Sequence, residues 1–144
     1  IFYASMYGNT ENAANLLASS LAEAGVKNVK VYDVSSTHVS DLIGEVFRCS
    51  HMVLACPTYN NGIYPAMYNF LHDMKALMVQ NRTVGLIENG SWAPASGKLI
   101  RLRLEEMKNM TLLEPTVTLK SSLKEDSRAQ LEALKDAIVA SLNA

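Results

Sequence analysis

Short runs of strand character alternate along this chain with stretches in which apolar residues recur at helical spacing. That alternation constrains the fold more than any other feature. Residues 1–4 form a short apolar run that suits a buried strand, and from Glu11 onward Ala13, Ala14, Leu17 and Leu21 mark one helical face. Gly25 supplies a stop signal. Residues 29–34 alternate apolar and polar, as a strand with one poorly covered face does, which favours a sheet edge. Val39, Leu42, Ile43, Val46 and Phe47 predict an amphipathic helix with Asp41 in its first turn, where negative charge is favoured.

Residues 52–57 are apolar throughout, as a strand buried on both faces should be. Pro65 fits the first position of a helix striped by Met67, Phe70, Leu71, Met74 and Met78, methionines that read as core filler. Residues 83–87 read as another buried strand. Residues 97–107 then read as a helix with Ile100, Leu104 and Met107 inward, and with Arg101, Arg103 and Lys108 on a solvated face. The alternating stretch 113–119 contains Pro115, which cannot donate to a ladder, so it belongs at an edge. Ser127, with Gln130 three residues on, has the pattern of a capping box opening the last helix, whose stripe is Leu131, Leu134, Ile138 and Leu142.

Five strands alternating with five helices imply an α/β three-layer sandwich, a parallel sheet covered on both sides. The second and last strands are the edges. With right-handed crossovers, a five-stranded parallel sheet in the order 2-1-3-4-5 satisfies the pattern. The whole of 1–144 reads as one domain, without internal linker or repeat.

Bulk properties exclude several partners. A net charge of −1 does not suggest nucleic acid or an anionic membrane surface. No apolar run approaches the roughly 20 residues of a membrane span, and no signal peptide is visible. Cys49 and Cys56 form no C-x-x-C, so free thiols in a reducing cytosol, and hence a cytoplasmic location, are the expectation. The first residue is Ile and falls inside a predicted strand, so the natural chain is expected to begin earlier, after a few residues or a whole domain.

An open sheet of this order binds ligands outside the carboxyl ends of its strands, at the switch point between the first and third. Three loops of unusual composition fall at that rim: 5–10, 58–64 and 89–97. In the first, a polar turn leads into a helix start, which offers unpaired N–H groups and the positive end of a dipole to a phosphate. Ser5, Asn9 and Thr10 add side-chain donors. The loop has no Lys or Arg and is neither G-x-x-x-x-G-K-[ST] nor G-x-G-x-x-G, which argues against a nucleoside triphosphatase or a dinucleotide site and for a mononucleotide held largely by its other parts. The plainer alternative is a turn whose Ser and Thr cap the helix.

Flavodoxin, with FMN at its switch point, is the type case for this strand order, and the ligand position expected here is taken from that case. Tyr59 and Trp92 are placed to sandwich a flavin ring, or else to pack on each other. Tyr7 flanks the phosphate or ribitol, or packs. Asn60, Asn61 and Gly62 tolerate positive φ, so a peptide there can flip to present either a donor or an acceptor to the flavin N5; the alternative is an ordinary tight turn. No strand-end aspartate cluster and no Gly-x-Ser-x-Gly is present. His38, His51 and His72 are scattered without metal-ligand spacing, so chemistry is left to a cofactor.

The three loops resemble those of the flavodoxin-like domain of flavodiiron proteins, the A-type flavoproteins. The carriers of the likeness are Tyr3-Ala4-Ser5-Met6-Tyr7-Gly8-Asn9-Thr10, Ala55-Cys56-Pro57-Thr58-Tyr59-Asn60-Asn61-Gly62 and Asn89-Gly90-Ser91-Trp92-Ala93-Pro94. The resemblance implies a flavodoxin-like three-layer sandwich with FMN as cofactor. Ser5, Met6, Tyr7, Asn9 and Thr10 would hold its phosphate; Pro57, Thr58, Tyr59, Asn60 and Gly62, with Ser91, Trp92 and Ala93, would hold its ring. Gly8, Asn61, Asn89 and Gly90 complete the candidate set. Tyr7 stands where ordinary flavodoxins usually carry the middle hydroxyl of T-x-T-G-x-T.

The resemblance further implies electrons passing singly to a diiron centre that reduces O2 or NO. That centre would lie in a preceding domain and face the flavin across a head-to-tail homodimer of the full-length protein. The donor would be rubredoxin or an NAD(P)H:rubredoxin-type reductase. The near-neutral charge fits a carrier tethered to its acceptor and predicts a potential for full flavin reduction less negative than that of acidic flavodoxins. Competing readings are a short flavodoxin-fold NAD(P)H:quinone reductase, a stand-alone flavodoxin carrier, and a binding module that has lost FMN.

Overall fold

In chain order the elements are β1 (Phe2–Tyr3), α1 (Asn9–Glu23), β2 (Tyr32–Asp33), α2 (Val39–Arg48), β3 (His51–Tyr59), β4 (Gly62–Ile63), α3 (Pro65–Ala76), β5 (Thr83–Asn89), α4 (Ser96–Glu105), β6 (Thr111–Leu119) and α5 (Glu125–Leu142). They come from a computed structural model that describes residues 1–90, 95–120 and 122–144. The sheet runs β2-β1-β3-β5-β6 with every neighbouring pair parallel, and β4 pairs antiparallel with the end of β3. Setting β4 aside, this is the expected 2-1-3-4-5 order with the two expected edges.

Strand side chains alternate between two cores, as a pleat requires. Phe2, Met52, Leu54, Val84 and Leu86 pack with Leu42, Val46, Phe70, Met74, Ile100 and Leu104, under α2, α3 and α4. Tyr3, Val53, Ala55, Ile87 and Val117 pack with Ala13, Leu17, Leu131 and Leu134, under α1 and α5. The result is the three-layer sandwich, with the carboxyl ends of β1, β3 and β5 on one rim.

Several expectations need correction. Among the described residues the strand count is six, because Asn60 and Asn61 adopt φ of 48° and 60°; a two-residue loop with both residues in that region fits the twist of a hairpin, and the chain doubles back as β4 before α3. Only Tyr32–Asp33 of the 29–34 run forms a ladder. The last helix begins at Glu125, and Ser127 lies inside it. No capping box forms there: Gln130 accepts from the backbone N–H of Thr118 at 2.7 Å, tying α5 to β6 instead. Phe47, Met78 and Leu142 are exposed rather than part of their stripes. Met78 lies beyond the end of α3 at φ 61°.

Pro115 sits in an irregularity of β6. Between the pairs Val84–Leu112 and Leu86–Thr116, Gly85 alone on β5 faces residues 113–115, which accommodates a residue without an N–H donor. Pro65 opens α3, as expected.

Candidate functional site

Gly8 shapes the first loop. It is the N-cap of α1 at φ 88°, a conformation costly for any residue with a Cβ, and its N–H donates to Ser5 Oγ at 3.0 Å. No side chain caps α1. The first helical bond runs from Asn12 N to Gly8 O, which leaves the N–H groups of Asn9, Thr10 and Glu11 without an acceptor among the described residues. Burial, then the neighbouring Glu11 carboxylate, pushes the Tyr3 hydroxyl up to about 12. Met6 and Tyr7 stand out into solvent, Tyr7 at 86% exposure, which overturns the packing alternative for it. Thr10 is 1% exposed, and its Oγ1 accepts from Asn89 Nδ2 at 3.3 Å. Its hydroxyl is thus tied to the third loop as an acceptor, and its O–H and its backbone N–H remain the donors it can offer a ligand.

The second loop is a continuation of β3. Cys56 and Pro57 are buried, and burial pushes the Cys56 thiol up to about 12, so it is a neutral core group. Thr58 Oγ1 accepts the backbone N–H groups of Ala95 at 2.9 Å and Ser96 at 3.2 Å. Ser96 Oγ donates back to Cys56 O at 2.8 Å. Thr58 thus acts as a remote cap for α4. Tyr59 is exposed, its ring edge-on to Tyr64 at 5.8 Å. Asn60 and Asn61 form the hairpin turn, and Gly62 pairs back with Tyr59.

In the third loop Asn89 is buried at the end of β5, and Gly90 N donates to Leu119 O at 3.1 Å. Ser91, Trp92 and Ala93, with Pro94, lie outside the described residues. The structure therefore brings the three loops together through direct hydrogen bonds, Asn89 to Thr10 and Ala95 and Ser96 to Thr58. A separate cavity of about 300 Å3, lined by Ile1, Lys30, His51 and Leu142 among others, lies at the opposite rim, away from these loops.

Glu88 directly precedes the third loop and is not among the residues that the sequence pattern singles out. It belongs to β5, and its carboxylate accepts from Gly97 N and from Thr118 Oγ1, each at 2.9 Å. The signal was an acidic residue closing an apolar strand nine positions before a glycine.

A parallel sheet with a helix N-terminus at its switch point that no side chain caps, entered by a loop without Lys or Arg and flanked by two cross-linked loops, has the form of an anion-binding α/β domain. Residues 1–134 match the family model described as flavodoxin, so the chain belongs to the flavodoxin family. It is 33% identical over 100 residues to the rubredoxin-oxygen oxidoreductase of Megalodesulfovibrio gigas, across 69% of this chain and 25% of that protein. It is 28% identical over 109 residues to a flavo-diiron protein of Clostridium acetobutylicum, across 75% of this chain and 27% of that one. The solved rubredoxin oxygen:oxidoreductase from Desulfovibrio gigas superimposes with a TM-score of 0.91 at 28% identity, covering 99% of this chain and 35% of that chain.

The chain thus spans about a quarter of the length of these curated relatives, and its likeness is to their flavodoxin-like part. As a flavodoxin-family member it is an FMN-binding electron-transfer module, and the open donors of α1 fit a phosphate monoester. No helix among the described residues is long and apolar enough to cross a membrane.

Proposed function

We propose that residues 1–144 form the flavodoxin-like FMN domain of a longer flavodiiron-type oxidoreductase, delivering electrons to a diiron domain that reduces O2 or NO. The observation that carries the FMN part is the uncapped first turn of α1 at the switch point, with three N–H groups open among the described residues and no Lys or Arg in the loop 5–10 that leads into it. The likeness to rubredoxin oxygen:oxidoreductase across nearly all of this chain supports the acceptor. The electron donor is rubredoxin or an NAD(P)H:rubredoxin-type reductase, and the full-length protein is a head-to-tail homodimer in the reducing cytoplasm, where Cys49 and Cys56 stay free.

Bound FMN supplies the one-electron chemistry. The chain's residues bind and orient it. The N–H groups of Asn9, Thr10 and Glu11, aided by the α1 dipole, hold the phosphate, with Ser5 and Gly8 keeping the loop in shape. Met6 and Tyr7 cover the phosphate from outside. Pro57, Thr58, Tyr59, Asn60, Asn61 and Gly62 would hold the ring from the second loop, and Asn89, Gly90, Ser91, Trp92 and Ala93 from the third. Tyr59 and Trp92 would shield it from water. Asn60 and Asn61 are both at positive φ, and a peptide of this turn would offer the ring an acceptor or a donor.

The test is the visible spectrum of the purified 144-residue chain, with mass spectrometry of what it releases on boiling. A flavin spectrum and the mass of FMN are expected. A colourless, folded protein that takes up no added FMN would refute the reading. Rapid NADPH oxidation with a quinone would favour the quinone-reductase alternative.

A further inference from the structure

We propose that Glu88 is a positioning residue for the ring-binding half of the site, fixing the start of α4 without contributing to phosphate binding; the inference rests on the FMN reading above. Helix α4 has Ala95 as its N-cap and no side-chain cap of its own. Two of its first-turn donors are nevertheless taken, that of Ser96 by Thr58 Oγ1 from β3 and that of Gly97 by Glu88 Oε2 from β5, and Thr58 Oγ1 also accepts from the N-cap Ala95. A carboxylate at this end of a ten-residue helix also meets the positive end of its dipole. In α1 the N–H groups of Asn9, Thr10 and Glu11 meet no acceptor among the described residues, whereas in α4 those of Ser96 and Gly97 are held by side chains of β3 and β5.

The closure is built tightly. A Cβ on Gly97 would lie 2.6 Å from Glu88 Oε2 and 3.0 Å from its Cδ, so the carboxylate rests directly against the helix backbone. The other oxygen, Oε1, accepts from Thr118 Oγ1 at 2.9 Å, and the Thr118 N–H is held by Gln130 Oε1 at 2.7 Å. A continuous hydrogen-bonded line therefore runs from α5 through β6 and β5 to the first turn of α4.

Segment 89–97 is anchored at both described ends. At one end Asn89 bonds Thr10 and Gly90 N bonds Leu119 O; at the other stand Thr58 and Glu88. Both hydrogen bonds of the Glu88 carboxylate go to α4 and β6, and the tie to α1 is made by Asn89 instead. Removing Glu88 therefore loosens the start of α4 beside the ring-binding loops and keeps the Asn89–Thr10 bond at the phosphate end.

The experiment compares the 144-residue chain with Glu88→Ala and Glu88→Gln, titrating each apoprotein with FMN and with riboflavin, which lacks the phosphate. Glu88→Ala is expected to weaken both ligands by the same factor, about tenfold for the loss of a charge-assisted bond, so that the riboflavin-to-FMN ratio of dissociation constants stays constant. Glu88→Gln is expected to recover most of the loss, because its amide oxygen accepts from Gly97 and its NH2 donates to Thr118 Oγ1. An unchanged riboflavin affinity in Glu88→Ala, a changed ratio, or a Gln variant as weak as the Ala variant would overturn the proposal.

Amide hydrogen exchange on the apoproteins reads the clamp without any flavin. Exchange at residues 95–97 should quicken in Glu88→Ala while α1 keeps its protection, and unchanged exchange there overturns the proposal. If the parent chain binds neither flavin, the FMN reading fails, and exchange alone decides whether Glu88 fixes α4.

Discussion

Asn89 Nδ2 donates to Thr10 Oγ1 at 3.3 Å, joining residues 79 positions apart where the third loop meets the helix that begins the phosphate site. Both groups are almost wholly withdrawn from water, Thr10 at 1% and Asn89 at 7% exposure. As an acceptor the hydroxyl ties the two loops together.

From that bond, Thr10→Val should cost about 1 kcal/mol of stability, the usual net worth of a buried hydrogen bond. FMN affinity should change by less than about threefold, since the backbone N–H remains and such a change is under 1 kcal/mol. Urea unfolding and apoprotein titration measure the two. A hundredfold loss of FMN affinity with little loss of stability would mean that the hydroxyl turns to the phosphate.

Gly8 presents a different case. Nothing lies within 4 Å of a Cβ built there, so Gly8→Ala is penalised by its φ of 88° alone. A destabilisation of about 1–2 kcal/mol is expected, with Gly8→Asn milder because Asn tolerates the left-handed region. Denaturant melts of the two variants decide it. Equal costs would place the penalty in crowding instead of backbone conformation.

At Gly85 crowding decides. A Cβ would come within 2.9 Å of Leu134 Cδ1 and 3.5 Å of Val53 Cγ2, in the fully buried contact between β5 and α5. Gly85→Ala should destabilise by about 1–3 kcal/mol through overpacking. Adding Leu134→Val should recover part of that. Thermal melts of the single and double variants test it, and a double variant no better than the sum of its parts would count against the contact.

His51 gives the pH dependence. Its ring is partly buried between Ser50 Oγ at 2.7 Å and Ser141 Oγ at 2.8 Å, and burial holds its pKa below the ordinary 6.5. Above 6.5 both folded and unfolded chains carry it neutral. As pH falls below 6.5 the unfolded chain takes up a proton first, so stability declines until the lowered folded value is passed and then levels off. His51→Gln should flatten the part of the stability profile that lies just below pH 6.5, measured by denaturant midpoints. A parent profile and a variant profile with the same slope would remove His51 from the account.

Much of the architecture was legible in the residues. The periods of 2 and 3.6 named strands and helices, the poorly covered 29–34 and the Pro115 strand named the edges, and Pro65 and Asn60-Asn61 marked a helix start and a turn. The first-loop and second-loop candidates fall together on one rim as that order requires. What local pattern misjudged were positions whose partners come from elsewhere. Ser127 has the sequence of a cap, yet Gln130 is drawn off by Thr118. Phe47 and Met78 follow an apolar stripe beyond the point where the core ends.

The sequence by itself determined which faces are apolar and in what succession, because burial acts on each residue through its own period along the chain. That is enough to specify a covered parallel sheet and a polar rim. Only the tertiary structure decided which donors on that rim are spent and which are open: Ser96 and Gly97 of α4 held by Thr58 and Glu88, Asn9, Thr10 and Glu11 of α1 without an acceptor among the described residues, and the Thr10 hydroxyl bonded by Asn89. Hydrogen bonds are directional and need their partners within about 3 Å. Residues distant along the chain reach that distance only after the sheet has brought their strands side by side.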